Sequence, residues 1–307
     1  MSSWLGLLSD WFPFELLAHF RIQYLLGLLI CVPPVVLSHR GKNLALKANR
    51  VILVELAFFV VSILLNLALI IGVFVGSTRA PLSSDYSLKR HLKIVQINIL
   101  EPNTNYRDVC EYVLSREPDI VSFEEVGLEW GKELSTQLRL YPYSKVLPRG
   151  DYFGLAIFSK HPFKSEVLEL SKSGIPLLFS SIDVGGKNLN FASVHTLPPI
   201  DPSYLADRNQ EMLNLAELRN KNPGAFIVAG DLNCSPWSEA FWRLCHDAKL
   251  KDSEQSVGPQ PSWPSFIGIP FIPIDHFLVS HDIRVDARSV GPNIGSDHYP
   301  VEMTISF

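Results

Sequence analysis

The sequence predicts an α/β domain of two stacked, mixed β-sheets flanked by helices, preceded by an N-terminal transmembrane helical hairpin. Three observations predict it. Apolar residues make up 47% of the 307-residue chain, and their excess sits at the front. A composition break follows at residues 76–91, GSTRAPLSSDYSLKRH, where Ser, Pro and charges replace the apolar run as in a short tether. Beyond it, strand-like and helix-like runs mix without regular alternation, which favours stacked sheets over a singly wound parallel sheet.

The front elements come first. Val51 to Val75 is an apolar run whose only charge is Glu55, and about 20 apolar residues cross a bilayer core as a helix. Leu25 to Leu37, LLGLLICVPPVVL, reaches that length as a helix over about 22–38, kinked at Pro33 and Pro34. Met1 to Phe20 holds Asp10 and Glu15 but no Lys or Arg, so it lacks the basic start of a cleavable signal. Trp4, Leu7, Leu8, Trp11, Phe12 and Phe14 instead form an amphipathic segment suited to the membrane interface. Arg40, Lys42, Lys47 and Arg50 make the loop between the two runs basic, and basic loops stay in the cytoplasm. Both chain ends then lie outside. In a bacterial cell this gives an integral inner-membrane protein with its soluble domain in the periplasm. The organisation is an anchor over 1–76, a linker over 77–92 and a domain over 93–307. The lipid bilayer is a partner through the N-terminal helices, and no protein partner is predicted. Cys31, Cys110, Cys234 and Cys245 are too scattered for a disulfide framework or a zinc-ligand spacing.

The domain opens with alternation over Lys93 to Leu100, a half-buried strand, then a helix from Asn105 to Arg116 stopped before Pro118. Strands follow at Asp119 to Phe123, Phe153 to Ser159, Leu177 to Val184, Leu189 to Val194, Phe226 to Ala229, Ile274 to Ser280, Ile283 to Ala287 and Tyr299 to Ile305. Gly185 and Gly186 mark a tight hairpin turn. Helices fit at Leu128 to Leu140, Ser203 to Arg219 and Ser235 to Cys245.

Polar residues able to bind a metal and move protons recur at C-terminal ends of these strands. They are Asn98 in VQINIL, Glu125 in DIVSFEEV, His195 in FASVHTLPP, Asp231 and Asn233 in VAGDLNCSP, Asp275 with His276 in IPIDHFLVS, and Asp297 with His298 in GSDHYPV. Singly, each reads as an ordinary cap or Asx turn. As an ordered set they combine oxygen donors suited to a hard cation with imidazoles beside carboxylates suited to proton transfer.

The order Asn, Asp-Ile-x-x-x-x-Glu, Gly-x-x-Ile-x-Ser-Lys, His-Thr, Gly-Asp-Leu-Asn, Asp-His and terminal Ser-Asp-His resembles the endonuclease/exonuclease/phosphatase superfamily over essentially all of 93–307. Gly-Asp-Leu-Asn followed by Asp-His and Ser-Asp-His is its specific part. The resemblance implies a four-layer sandwich and metal-dependent phosphoester hydrolysis, with Mg²⁺, or Mn²⁺ in its place, but no particular substrate. It places Asn98, Glu125 and Asp297 at the metal. Asp231 and Asn233 would position the attacking water and the phosphate, with activation of the water divided between Asp231 and His298. Asp275 would orient the His298 imidazole, and His195 would bind a phosphate oxygen or protonate the leaving group. One departure is Glu124, where the family usually has Gln; its extra charge either tightens metal binding or faces solvent. Arg208 is expected on the wet face of its helix, with a phosphate contact as the alternative. Trp263, in PSWPSF, either lines the cleft or anchors a buried loop.

Residues 93–307 carry 19 Lys plus Arg against 27 Asp plus Glu, a net charge of −8. Such a balance argues against tight duplex binding, which needs cations at phosphates. The leading expectation is a membrane-anchored phosphodiesterase or phosphatase acting on a lipid head group or small phosphodiester. The alternatives are an extracytoplasmic endonuclease acting on DNA or RNA and a non-catalytic membrane-bound interaction module.

Overall fold

A computed structural model describes residues 11–39, 46–74, 91–267 and 271–307. The basic residues Arg40 and Lys42, most of the 77–92 linker, and Trp4, Leu7 and Leu8 lie outside the described residues. At the front, α1 (Phe14–Ala18), α2 (Arg21–His39) and α3 (Leu46–Phe74) precede the domain, and α2 packs along α3. Residues 52–74 of α3 form a helix long and apolar enough to cross a membrane; the apolar part of α2, Arg21–Val35, is shorter. Pro33 and Pro34 lie inside α2, which runs as one helix through both.

The domain begins at β1 (His91–Asn98) and continues through α4 (Tyr106–Arg116), β2 (Ile120–Glu124), α5 (Leu128–Gln137), β3 (Tyr143–Leu147), β4 (Leu155–Ser159), β5 (Phe163–Glu169), β6 (Pro176–Val184) and β7 (Lys187–His195). After these come α6 (Pro202–Lys221), β8 (Phe226–Asp231), α7 (Glu239–Asp247), β9 (Leu250–Asp252), β10 (Asp275–Ser280), β11 (Arg284–Val290) and β12 (Val301–Ser306). Local chemistry explains several boundaries. Asp201 caps α6 by accepting from the Ser203 and Tyr204 amides, with Pro202 in the first turn, where its missing N–H costs nothing. Gly185 and Gly186 take φ of 57° and 86°, which lets β6 return as β7 in a tight hairpin.

Two six-stranded mixed sheets result, ordered β11-β12-β1-β2-β4-β3 and β5-β6-β7-β8-β10-β9. Ile94, Ile120 and Ile157 of the first meet Leu178, Phe191, Ile227 and Phe277 of the second in a shared core. Outside, Val95, Val121 and Phe123 pack on Val113, Trp130 and Leu134 of α4 and α5. On the opposite face Phe226, Val228 and Leu278 pack on Met212, Leu215 and Phe241 of α6 and α7. The architecture is therefore the expected four layers. Each fully buried Phe or Leu contributes roughly 1.5–3 kcal/mol, so this layering fixes the strands and whatever they carry at their ends.

One expectation needs correction. Arg208 does not lie on a wet face: it is fully buried, and its Nη2 meets Glu15 Oε1 of α1 at 2.7 Å. In the described part of the interfacial segment, Phe12 and Phe14 are half-buried. Trp11 is exposed, but Glu15, Ala18 and His19 are buried, and His19 Nδ1 lies 3.0 Å from Ser235 Oγ. A buried guanidinium demands a carboxylate partner, and Glu15 supplies it, so α1 seats on the domain.

Candidate active site

Strand pairing brings the polar set to one end of the sandwich. β1 and β2 pair in parallel, as do β7 and β8, so Asn98, Glu124, His195 and Asp231 all sit at carboxyl ends on the same side. Asp275 instead opens β10, and Asp297 and His298 precede β12, contrary to the expectation that every member ends a strand. They reach the same place because β10 runs antiparallel to β8 and β12 antiparallel to β1. His195, Asp231 and Asp275 are direct cross-strand neighbours on three adjacent strands. Gly230 makes the approach possible: a Cβ there would lie 1.8 Å from the Val194 carbonyl oxygen.

A cleft of about 690 Å³ opens over this end, lined by Glu125, His195, Asp231, Asn233, Asp297 and His298 among others. Asn98 and Asp275 lie beneath it, fully buried. All eight residues expected at the site are thus together, six on the wall and two behind it. Glu125 and Asn233 have φ of 61° and 47°; non-glycine residues persist in that left-handed region only when their surroundings hold them. Glu125 is held by the Glu101 amide at 3.1 Å and Asn98 Nδ2 at 3.0 Å. Asn233 is held by its Nδ2 bond to the Thr196 carbonyl at 2.8 Å and by Arg208 Nη1, which donates to its carbonyl at 3.1 Å. Trp263 lines the cleft, and its Nε1 donates to Asp297 Oδ2 at 3.1 Å, so it both faces the cleft and ties down its loop.

His298 Nδ1–H donates to Asp275 Oδ2 at 2.8 Å, leaving Nε2 turned toward Asp231 Oδ2 at 3.7 Å. His195 Nδ1–H donates to the Tyr152 carbonyl at 3.1 Å, and its Nε2 faces the same Asp231 oxygen at 3.6 Å. One carboxylate oxygen therefore lies between two imidazoles, too far from either for a hydrogen bond. Burial alone would lower the His298 pKa, but the attached Asp275 carboxylate, with Asp231 and Asp297, outweighs it and holds the ring charged up to about 10. For Asp275 burial works upward, and the His298 charge with hydrogen bonds from Ser262 and Gln96 brings it down to about 2. Asp231 is raised to about 6, mainly by burial and then by Asp275, against the pull of both imidazoles.

Glu124 does not face solvent. It shares a face with Gln96 and Asn98, which point between the sheets, and is fully buried. Gln96 Nε2 bridges Glu124 Oε2 at 2.7 Å and Asp275 Oδ1 at 2.8 Å. Burial pushes the Glu124 carboxyl well above its usual range, and the Asp275 and Asp231 charges add to this against the hydrogen bonds from Gln96 and Ser122. A protonated carboxyl has one donor and one acceptor end, as a Gln amide does. Glu124 can thus fill a Gln position as a neutral side chain. Strand alternation would send Glu125 to the opposite face, but it lies one residue past β2 in the left-handed conformation and turns into the cleft. Gln96 and Ser262, the latter hydrogen-bonded through Oγ to Asp275 Oδ2, were missing from the sequence reading.

The donors suit a hard divalent cation. Glu125 and Asp231 are joined through Asn98 Nδ2, at 3.0 and 3.3 Å, and Asp297 Oδ1 is buried with no hydrogen-bond partner among the described residues. Among the described residues, Asp231, Asp275 and His298 also bring ligand-type atoms within 4.8 Å of one another. Two of those three are already committed to each other by the Nδ1–carboxylate bond.

The model of the Endonuclease/Exonuclease/phosphatase family matches residues 95–298. The chain belongs to this family. Its fold is shared by solved members. Humanized D. rerio TDP2 carrying 14 mutations aligns over 70% of this chain and 98% of its own, at 16% identity and a TM-score of 0.59. An endonuclease/exonuclease/phosphatase family protein from Bacteroides thetaiotaomicron aligns over 71% and 98%, at 17% identity and a TM-score of 0.60. D. rerio TDP2 complexed with single strand DNA product aligns over 70% and 98%, at 17% identity and a TM-score of 0.59. A search of curated protein sequences finds no match. Family membership makes phosphoester hydrolysis the expected class of chemistry.

Proposed function

We propose that this protein is a membrane-anchored phosphoester hydrolase, a phosphodiesterase or phosphatase, that works with a bound divalent cation, Mg²⁺ or Mn²⁺. The observation that carries this reading is the cleft floor, where the Asp231 carboxylate lies between two imidazoles beside Glu125 and Asn233. Glu125, Asn98 and Asp297 would hold the cation, which neutralises charge on the phosphoryl oxygens when bound. Asp231, whose carboxyl burial pushes upward, accepts the proton of the attacking water. His298, held charged by Asp275, stabilises the negative charge that grows on the phosphoryl group. His195, fixed by the Tyr152 carbonyl, presents Nε2 to the leaving oxygen or a phosphate oxygen, and the Asn233 amide orients the phosphate.

Anchoring is supported by the 52–74 helix and by the seat of α1. Since residues 14–20 and 91–307 touch, they share one side of any membrane that α3 crosses, which requires α2 to cross as well. With the basic loop inside, the domain faces the periplasm of a bacterial cell. A nuclease reading draws support from the D. rerio neighbour with its DNA product. The full chain in detergent, assayed on bis(p-nitrophenyl) phosphate, DNA and phospholipid with Mg²⁺ or EDTA, tests the reading. Hydrolysis that stops with EDTA and in Asp231→Asn supports it; turnover unaffected by both refutes it.

A further inference from the structure

The cleft has two chemistries. Its floor is polar, whereas its walls include Leu16, Phe20, Pro199, Ile200, Tyr204 and Ile272. Leu16 belongs to α1 and Phe20 lies just after it, and neither is part of the sandwich. Among the described residues lining the cleft there is no Lys or Arg, so nothing there neutralises a run of backbone phosphates in the way nucleic acid demands. The wall residues Leu16 and Ile200 are 37% and 65% exposed. Apolar side chains left open beside a reactive floor favour a ligand with an apolar part.

The same segment leads into the apolar helices. α1 ends at Ala18 and α2 starts at Arg21, and Gln23 Nε2 at its beginning donates to the Phe271 carbonyl at 2.8 Å, four residues before Asp275. Leu26, Leu29 and Ile30 then continue as exposed apolar surface along α2. The seat of α1 is built in: Arg208 joins Glu15 on one side and the Asn233 carbonyl on the other. Without α1 the guanidinium would be buried without its carboxylate, next to a residue of the cleft.

We infer that residues 14–20 form a wall of the substrate cleft and that the substrate is a phospholipid, whose phosphoester meets the polar floor while its acyl chains lie along the α1 wall toward the bilayer. This rests on the phosphoester reading above. Water adds to phosphorus, the P–O bond to one alcohol breaks, and the alcohol takes a proton as water loses one.

The test uses the full chain in vesicles of phosphatidylethanolamine and phosphatidylglycerol with Mg²⁺. The ratio of kcat/KM for the phospholipids to that for bis(p-nitrophenyl) phosphate is compared between the native chain, Leu16→Ser/Phe20→Ser, and Leu140→Ser, a control on an exposed loop. The α1 variant should lower the ratio about tenfold or more, the scale of discrimination by apolar pocket contacts, and the control should not. A ratio unmoved in the α1 variant, or cleavage of bis(p-nitrophenyl) phosphate or single-stranded DNA with no phospholipid cleaved, overturns the inference. Independently of turnover, phosphatidylglycerol with a photoactivatable acyl chain should crosslink to residues 16–20 and 198–204; crosslinks confined to 21–74 overturn it. Cleft crosslinks with no ester hydrolysed would leave the lipid wall standing and defeat the phosphoester reading instead.

Discussion

Asp275→Asn should disable the cleft by discharging His298. The ring is held at about 10 against its ordinary 6.5, a preference for the charged form worth roughly 5 kcal/mol. Asp275 is the largest favourable contribution, through both its charge and its 2.8 Å hydrogen bond. If burial then brings the ring roughly two units below neutral pH, about one molecule in a hundred stays charged, and the rate there falls on the order of a hundredfold. The amide can also donate to Nδ1 and impose the other tautomer, which deepens the loss. The pair has a stability signature too. The raised His298 pKa contributes stability that is complete below 6.5 and disappears as pH rises through about 10. The depressed Asp275 pKa contributes above 3.8 and disappears as pH falls through about 2. A bound cation would repel the imidazolium and pull the upper limit down. The assay is kcat/KM and melting temperature against pH for the native chain, Asp275→Asn, His298→Ala and the double variant. Linked groups lose function non-additively, so the double variant should be about as slow as either single. Fully additive losses, or an Asp275→Asn enzyme with native pH dependence, would refute the pairing.

Glu125→Gln should cost on the order of a hundredfold in turnover, partly recovered at high Mg²⁺, whereas Glu124→Gln stays within a few-fold because burial already disfavours the charged carboxylate there; Mg²⁺ titrations of both variants decide between them. Arg208→Ala strands Glu15 in a buried site and should cost about 3–5 kcal/mol, read as a lowered melting temperature of the full chain, with Glu15→Leu/Arg208→Met recovering part of it. Alkaline phosphatase fused after Phe307 should be active in a bacterial host, and activity only from a cytoplasmic reporter would overturn the hairpin topology.

The site was legible in sequence because its residues stand in fixed order beside strong strand signals, and strand polarity did the rest. Three strands escaped notice: β3, β5 and β9. β9 is three residues long, and β3 and β5 are sheet-edge strands, largely exposed or half-exposed, whose residues lack the apolar alternation of a buried face. Arg208 was misplaced although a signal existed. It shares a helical stripe with the buried Leu205, Met212 and Leu215, a position where a charge requires a partner from elsewhere. That partner, Glu15, lies 193 residues away, and no local pattern reports such a contact. Glu124 was ambiguous for a related reason: the sequence gives its face only if the strand end is known, and Glu125 leaves the alternation by a single left-handed residue.

The most direct test of phosphoester hydrolysis at the Asp231 cleft is hydrolysis of bis(p-nitrophenyl) phosphate by the full chain with Mg²⁺ in ¹⁸O-labelled water. One labelled oxygen should appear in the phosphoryl product, and incorporation should fall with Asp231→Asn. Label in the alcohol, or label in the phosphoryl product that Asp231→Asn leaves undiminished, would contradict attack by a water that Asp231 activates.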